Sequence, residues 1–192
     1  MGSEQRLAIF ASGVGSNAAQ IIKYFKGHPS IRVAAIFSNN PKAKVGDIAL
    51  ENNLPFVVIN REEFKDELFL KVLEDFNIDL IVLAGFLWLL PSYLIKAFPK
   101  RIINIHPALL PKYGGKGMYG KFVHEAVKRS GDTVTGITIH YVDEHYDRGD
   151  IIAQYEVRIS PDDSTEDITR KVRELEHRYY AREIERLLGD QT

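Results

Sequence analysis

The sequence predicts an α/β fold: a mostly parallel sheet with helices on both faces and an antiparallel strand pair added late. Three observations predict it. Short apolar runs alternate with segments of helical period through the first half of the chain. The run Leu80–Ala84 is almost wholly apolar, as a strand covered on both faces requires. Late in the chain the alternation stops, and two strand-like segments, Thr133–Val142 and Ile151–Val157, follow one another across a short link.

Leu7–Ala11 is the first strand and runs into Ser12-Gly13-Val14-Gly15-Ser16-Asn17. Ala18–Phe25 has a helical pattern that stops near Gly27. Val33–Phe37 is the second strand, Lys44–Asn52 a helix and Phe56–Ile59 a third short strand. Apolar residues at 64, 68, 69, 72, 73 and 76 predict one helix over Glu62–Phe76. Leu80–Ala84 is the fourth strand, Pro91–Phe98 a short helix and Ile102–Ile105 the fifth strand. Such alternation implies a parallel sheet with right-handed crossovers, a Rossmann-like arrangement. A helix over Tyr119–Ser130 precedes the late strand pair. In its first member Thr135, Ile137, Ile139 and Tyr141 lie on one face, Thr138 and His140 on the other. Ser164–Leu188 is a long charged helix, and Ser164 with Asp167 reads as a capping box. No stretch is rich enough in Pro, Gly or Ser to be a linker, so a single domain over residues 1–192 is expected.

Composition removes several classes of function. With 25 basic and 26 acidic residues, a net charge of −1 gives no general electrostatic basis for a nucleic-acid or membrane partner. The absence of cysteine excludes disulfides, thiol catalysis and zinc–thiolate sites. No apolar run reaches the roughly 18 residues of a membrane span. The start carries no apolar signal region, so the cytoplasm is the expected location.

Three constellations carry chemistry. The first is Asn104-Ile105-His106-Pro107-Ala108-Leu109-Leu110-Pro111. Residues i and i+2 of an extended segment point to the same side, so Asn104 and His106 can aim at one small volume. Acyl transfer needs such donors where a carbonyl oxygen becomes negative. A strand-end amide and a loop histidine that only satisfy local hydrogen bonds would read the same way. The second is Gly13-Val14-Gly15-Ser16-Asn17-Ala18, a G-x-G-x-x-A turn between strand and helix. A dinucleotide site adds an acidic residue after the second strand, but here that region reads Ser38-Asn39-Asn40-Pro41. The turn therefore suits a single phosphate gripped by Gly13, Gly15, Ser16 and Asn17 at a helix start. A tight turn with Ser16 as plain N-cap is the alternative. The third is Val142–Asp150, with carboxylates at Asp143, Glu144, Asp147 and Asp150. One of them can pair with His106, raise its pKa and steer its proton; the Arg148-Gly149 turn favours Asp147 without excluding the others. No metal site is expected, because His106, His124, His140 and His145 show no ligand spacing. There is no G-x-S-x-G elbow for a serine nucleophile.

Together, Ser12-Gly13-x-Gly15-Ser16-Asn17, Leu83-Ala84-Gly85-Phe86, Asn104-x-His106-Pro107-x-Leu109-Leu110-Pro111 and the Asp147 loop resemble the folate-dependent formyltransferases, from about Leu7 to Leu187. The branch most resembled formylates glycinamide ribonucleotide (GAR) in purine biosynthesis. The resemblance implies that Asn104 and His106 bind the formyl oxygen of 10-formyltetrahydrofolate. It implies that Asp147 keeps His106 protonated and relays the proton lost by the attacking amine. Gly13, Gly15, Ser16 and Asn17 would hold the ribotide phosphate, Pro107 would lie against the ribotide, and Glu176 would bind the ribose hydroxyls. Leu87, Trp88, Leu90 and Val142 would border the folate pocket. By the same resemblance the N-terminal half binds the ribotide and the C-terminal half the folate, no metal takes part, and the enzyme is a monomer or homodimer. Two departures stand out: Trp88 occupies a position where relatives often carry Arg, and Gly114–Gly120 holds four glycines in place of a His-containing loop.

Rival readings share parts of this pattern. A formyltetrahydrofolate hydrolase would use the same triad with water as acceptor, and a transfer-RNA formyltransferase would add a C-terminal domain. Both differ from the expectation of one short domain. A catalytically silent nucleotide-binding module would leave Asn104, His106 and Asp147 unexplained.

Overall fold

The computed structural model describes residues 4–189. Strand β1 (Gln5–Phe10) pairs in parallel with β2 (Ile31–Ser38) on one side and with β4 (Leu80–Leu83) on the other. β3 (Phe56–Val58) continues the sheet beyond β2, and β5 (Ile102–His106) continues it beyond β4, both in parallel. Then the direction reverses. β6 (Val134–Tyr141) runs antiparallel to β5, and β7 (Ile151–Arg158) antiparallel to β6. The order is β3-β2-β1-β4-β5-β6-β7, the mostly parallel sheet with a late antiparallel pair that the sequence predicts.

Each central strand divides its side chains between two cores, as the period of two dictates. Leu7 and Ile9 of β1 and Val82 of β4 join the core under α1 (Ser16–Phe25), α2 (Val45–Glu51), α5 (Lys121–Ser130) and α6 (Thr165–Gly189). Ala8 and Phe10 of β1 and Ile81 of β4 join the opposite core, covered by α3 (Phe69–Asp75) and α4 (Ser92–Ala97). The second core is aromatic: Phe10 stacks on Phe37 at 4.8 Å and meets Phe86 edge-on at 5.3 Å.

One element departs from its prediction. The apolar period over Glu62–Phe76 is not one helix but a 3-10 turn, Glu63–Lys65, followed by α3. Asp66, with φ −91° and ψ 132°, leaves the helical region, and its carboxylate accepts the Leu68 N–H at 2.9 Å. Asn60 likewise accepts from Glu62 and Glu63 at 3.1 and 2.9 Å. These short side chains offer the backbone an alternative to the helix while the apolar positions stay inward. At the start of α6 the capping box forms as expected: Ser164 N–H donates to Asp167, and Asp167 N–H to Ser164 Oγ, both at 3.1 Å.

The last helix is tied to the middle of the sheet. Tyr180, fully buried on α6, donates its hydroxyl to Leu83 O at 2.8 Å, with Ile103 O at 3.5 Å. Among the described residues no helix is long and apolar enough to cross a membrane.

Candidate active site

A cleft of about 740 Å³ opens where β1, β4 and β5 end. In open α/β sheets this edge is where connecting loops leave a crevice. The thirteen residues singled out by sequence all line it.

The glycine turn forms one end. Ser12 N–H donates to Gly85 O at 3.0 Å, and Val45 N–H to Gly13 O at 3.1 Å, which pins the turn on both sides. Gly15 has φ 79° and caps α1; a Cβ there would lie 2.5 Å from Val45 Cγ2. Ser16 is therefore not the N-cap but the first helical residue, and no side chain caps the helix. The leading N–H groups of α1 have no intrahelical acceptor and stand at the cleft with the helix dipole behind them. Asn17 follows, and its Nδ2 donates to Glu176 Oε2 of α6 at 2.9 Å. Burial raises the Glu176 carboxyl pKa, against the bond from Asn17 and the charge of Arg173.

The centre is built on β5 and β6. The antiparallel register sets Asn104 opposite His140 and His106 opposite Thr138, so all four share one face. His140 Nδ1 lies 2.7 Å from Tyr141 O, and its Nε2 lies 3.1 Å from Asn104 Nδ2. The carbonyl fixes the proton on Nδ1, which leaves Nε2 to accept from Asn104. One N–H of the Asn104 amide is spent on His140 and the other remains for a ligand. Thr138 locks the exit of β5: its hydroxyl donates to Ala108 O at 2.7 Å and accepts Leu110 N–H at 2.9 Å.

Of the four loop carboxylates, Asp147 turns inward. It adopts φ 56°, a left-handed conformation that Asp tolerates better than most residues. Its Oδ2 accepts Gly115 N–H at 2.9 Å and lies 3.5 Å from His106 Nδ1, while Oδ1 lies 3.7 Å from His140 Nε2. Glu144 and Asp150 are exposed, and Asp143 turns back to accept His145 N–H. Burial alone would raise the Asp147 carboxyl, but the neighbouring His140 ring, the His106 charge and the Gly115 N–H together hold it below the ordinary value.

His106 is 3% exposed, and its Nε2 donates to Tyr113 O at 2.8 Å. Both ring nitrogens thus face acceptors, which favours a protonated ring. Burial outweighs them and lowers the pKa, despite Asp147 and the Tyr113 carbonyl; His140 adds to the lowering. Asp147 does push the imidazole pKa up, as expected of a carboxylate, but desolvation outweighs it and the net shift is downward.

The far end is apolar. Trp88 packs against Phe64 at 5.9 Å and Phe86 at 6.2 Å, and the Arg61 guanidinium stands 5.5 Å over its ring. Leu87 is 47% exposed and is tied to the glycine turn through its N–H to Ser12 Oγ at 3.0 Å. Leu90 borders the cleft yet is buried in the aromatic core, so it serves both. Val142 faces them from the end of β6.

Sequence reasoning missed three contributors: His140, His124 and the Tyr113 carbonyl. His140 could have been found by pairing its face with that of Asn104. The other two depend on how α5 and the glycine loop fold over β5, which no local pattern reveals.

Comparisons with known proteins agree with this fold. A sequence model described as formyl transferase matches residues 5–184. A chloroplastic phosphoribosylglycinamide formyltransferase of Arabidopsis thaliana is 41% identical over 183 residues, covering 92% of this chain and 63% of the relative. With a Vigna unguiculata relative at 61% coverage, the chain spans under two thirds of the plant proteins it matches. The Bacillus subtilis phosphoribosylglycinamide formyltransferase is 35% identical over 191 residues, 96% of this chain and 95% of the relative. Among solved structures, the Bacillus halodurans phosphoribosylglycinamide formyltransferase superposes with a TM-score of 0.88 at 36% identity, covering 98% of this chain and 97% of that one.

Proposed function

The chain belongs to the formyl transferase family, and from that premise we propose that it transfers the formyl group of 10-formyltetrahydrofolate to the amine of GAR, giving formyl-GAR and tetrahydrofolate in purine biosynthesis. The observation that carries this reading is the convergence of Asn104, His106, His140 and Asp147 in one cleft. A phosphate-competent helix start stands at one end of that cleft and an apolar, aromatic wall at the other.

The roles follow from position. The phosphate of GAR docks on Gly13, Gly15, Ser16 and Asn17, its ribose on Glu176 and its glycinamide arm along Pro107. The folate lies against Leu87, Trp88, Leu90 and Val142. Glu176 comes from α6 and Trp88 from the loop after β4, so both halves of a single domain build both ends of the cleft.

The GAR amine attacks the formyl carbon. A C–N bond forms, and the carbonyl oxygen takes up the electron pair. The free N–H of Asn104 and the His106 imidazole stabilise that oxygen. Tyr113 O accepts the Nε2 proton of His106, and the imidazole exchanges that carbonyl for the oxyanion as the C–N bond forms. Collapse breaks the bond from the formyl carbon to N10 of the folate. The proton lost by the amine passes through Asp147 and water to N10.

The test is an assay with 10-formyltetrahydrofolate, with and without GAR. Formyl-GAR formation that requires GAR supports the reading. Folate turnover that proceeds without GAR and gains nothing from it would make the enzyme a hydrolase.

A further inference from the structure

The Tyr113 carbonyl that accepts from His106 is held from outside the cleft. Tyr113 adopts φ 58°, a left-handed conformation that is rare for an aromatic residue and persists only where the surroundings impose it. Here the surroundings are polar and specific. The Tyr113 hydroxyl donates to Asp132 Oδ2 at 2.7 Å and stands 2.6 Å from Ser130 Oγ. Ser130 is itself fixed at the end of α5: its hydroxyl donates to Val127 O at 2.7 Å and accepts Asp132 N–H at 3.3 Å. Lys112 Nζ lies 3.2 Å from Asp132 Oδ2. Hydrogen bonds from Tyr113 first, and Lys112 second, hold the Asp132 carboxyl below its ordinary pKa. The phenol therefore meets an ionised acceptor, the stronger kind of hydrogen bond.

The turn that begins at Tyr113 reaches the reacting centre twice. Tyr113 O accepts from His106 Nε2 at 2.8 Å. Two residues on, Gly115 N–H donates to Asp147 Oδ2 at 2.9 Å, and that same oxygen lies 3.5 Å from His106 Nδ1. Gly114 sits closely packed between them: a Cβ there would lie 2.5 Å from Leu110 Cδ2 and 3.3 Å from Asp147 Cβ. One three-residue turn thus faces both ring nitrogens of His106, Nε2 directly and Nδ1 through Asp147. Gly115 lines the cleft, whereas Tyr113 and Asp132 border a separate hollow. Neither side chain is placed to touch a substrate in the cleft, so any effect of theirs on the reaction passes through His106 and Asp147.

We propose that Tyr113 and Asp132 are a positioning pair for the transfer reaction: the bond from phenol to carboxylate sets the turn that orients His106 and Asp147. This rests on the reading of the cleft as a formyl-transfer site. A histidine ring has two nitrogens, and the acceptors around it decide which carries the proton and which way the ring faces. Tyr113 O keeps the proton on Nε2, the nitrogen that donates to the oxyanion, while Asp147 faces Nδ1. Without the phenol bond the left-handed turn loses its anchor, and both partners of the ring shift together. A displacement of this kind, away from the substrates, costs rate at the reacting centre rather than binding.

The experiment compares wild type, Y113F, D132A and the double variant by steady-state kinetics and by nuclear magnetic resonance of the 15N-labelled histidine rings, with the His106 signals assigned by their loss in H106A. Y113F removes one oxygen and keeps the aromatic ring, so its fold is expected to survive. The expected result is a fall in kcat of about tenfold or more in each single variant, with KM for GAR and for 10-formyltetrahydrofolate within about twofold of wild type. The double variant should lose no more than either single one, because both remove the same bond. The His106 ring 15N shifts should move in all three variants without substrate present. Wild-type kcat and unmoved His106 signals, even with a lowered Tm, would reduce the pair to a structural tie and overturn the proposal. Losses confined to KM, a rise in kcat, or losses that multiply in the double variant would overturn it too. The ring signals need no turnover, so a wild type that makes no formyl-GAR would remove the formyl-transfer reading while they still decide whether the pair orients His106.

Discussion

Asn17 and Glu176 stand 159 residues apart in sequence and meet at 2.9 Å, amide to carboxylate, across the mouth of the glycine turn. The bond fixes which way the Asn17 amide points, and it leaves Oδ1 turned away from Glu176 with no partner. It also steadies a carboxylate that burial makes uncomfortable. Asn17→Ala is expected to raise the KM for GAR about tenfold or more, and to lower Tm by a few degrees through the unpaired Glu176. Steady-state kinetics and calorimetry check both. A Tm shift with no change in KM would reduce Asn17 to a strut.

The triad gives a second expectation. His106→Ala and Asp147→Asn should each lower turnover by at least ~100-fold, because one removes a donor to the oxyanion and the other removes its charge partner. His140→Ala should lower it by a smaller factor, since Asn104 keeps its amide and loses only the acceptor that orients it. Near-normal rates in the first two would sink the mechanism.

Gly15 is placed by geometry that no other residue satisfies. Its φ of 79° disfavours a side chain, and an added Cβ would collide with Val45. Gly15→Ala should destabilise the fold by about 1–3 kcal/mol and weaken GAR binding, because the turn must open to admit the methyl. Denaturant unfolding measured beside GAR affinity decides this. Unchanged values of both would mean that the turn is looser than its contacts imply.

The pH dependence of stability has a sign set by His124. Its pKa falls from 6.5 to about 4 on folding, first from burial and then from Arg173 and His106. Below pH 6.5 the unfolded chain binds a proton that the folded chain refuses, so stability declines as pH drops through the window from 6.5 to about 4. His106 and His177 shift in the same direction. Replacing His124 by Asn should recover roughly 3 kcal/mol of that decline. Chemical denaturation at neutral pH and at about pH 4 reads the difference, and a wild-type profile that is flat across the window would refute it.

How much of this was legible depended on distance in sequence. The strands, the capping box at Ser164 and the shared face of Asn104 and His106 follow from local period and turn chemistry, which short peptides already express. The Glu62–Phe76 helix was misread because hydrophobic period reports which side faces the core, and not whether Asn60 and Asp66 capture the backbone first. The choice of Asp147 among four carboxylates became visible only with its left-handed backbone and the Gly115 N–H in place. His124 looked like any helical histidine; its burial at the cleft beside Arg173 depends on packing against another helix altogether.

The hydroxyl of Tyr180 touches the carbonyls of Leu83 and Ile103, on the two neighbouring strands that carry the site. The clasp reaches back 97 and 77 residues to strands whose ends open on the cleft. Glu176 stands one turn before Tyr180 on the same helix. A slip of α6 along the sheet would therefore move one wall of the cleft against its floor, and a single hydroxyl holds the two in register.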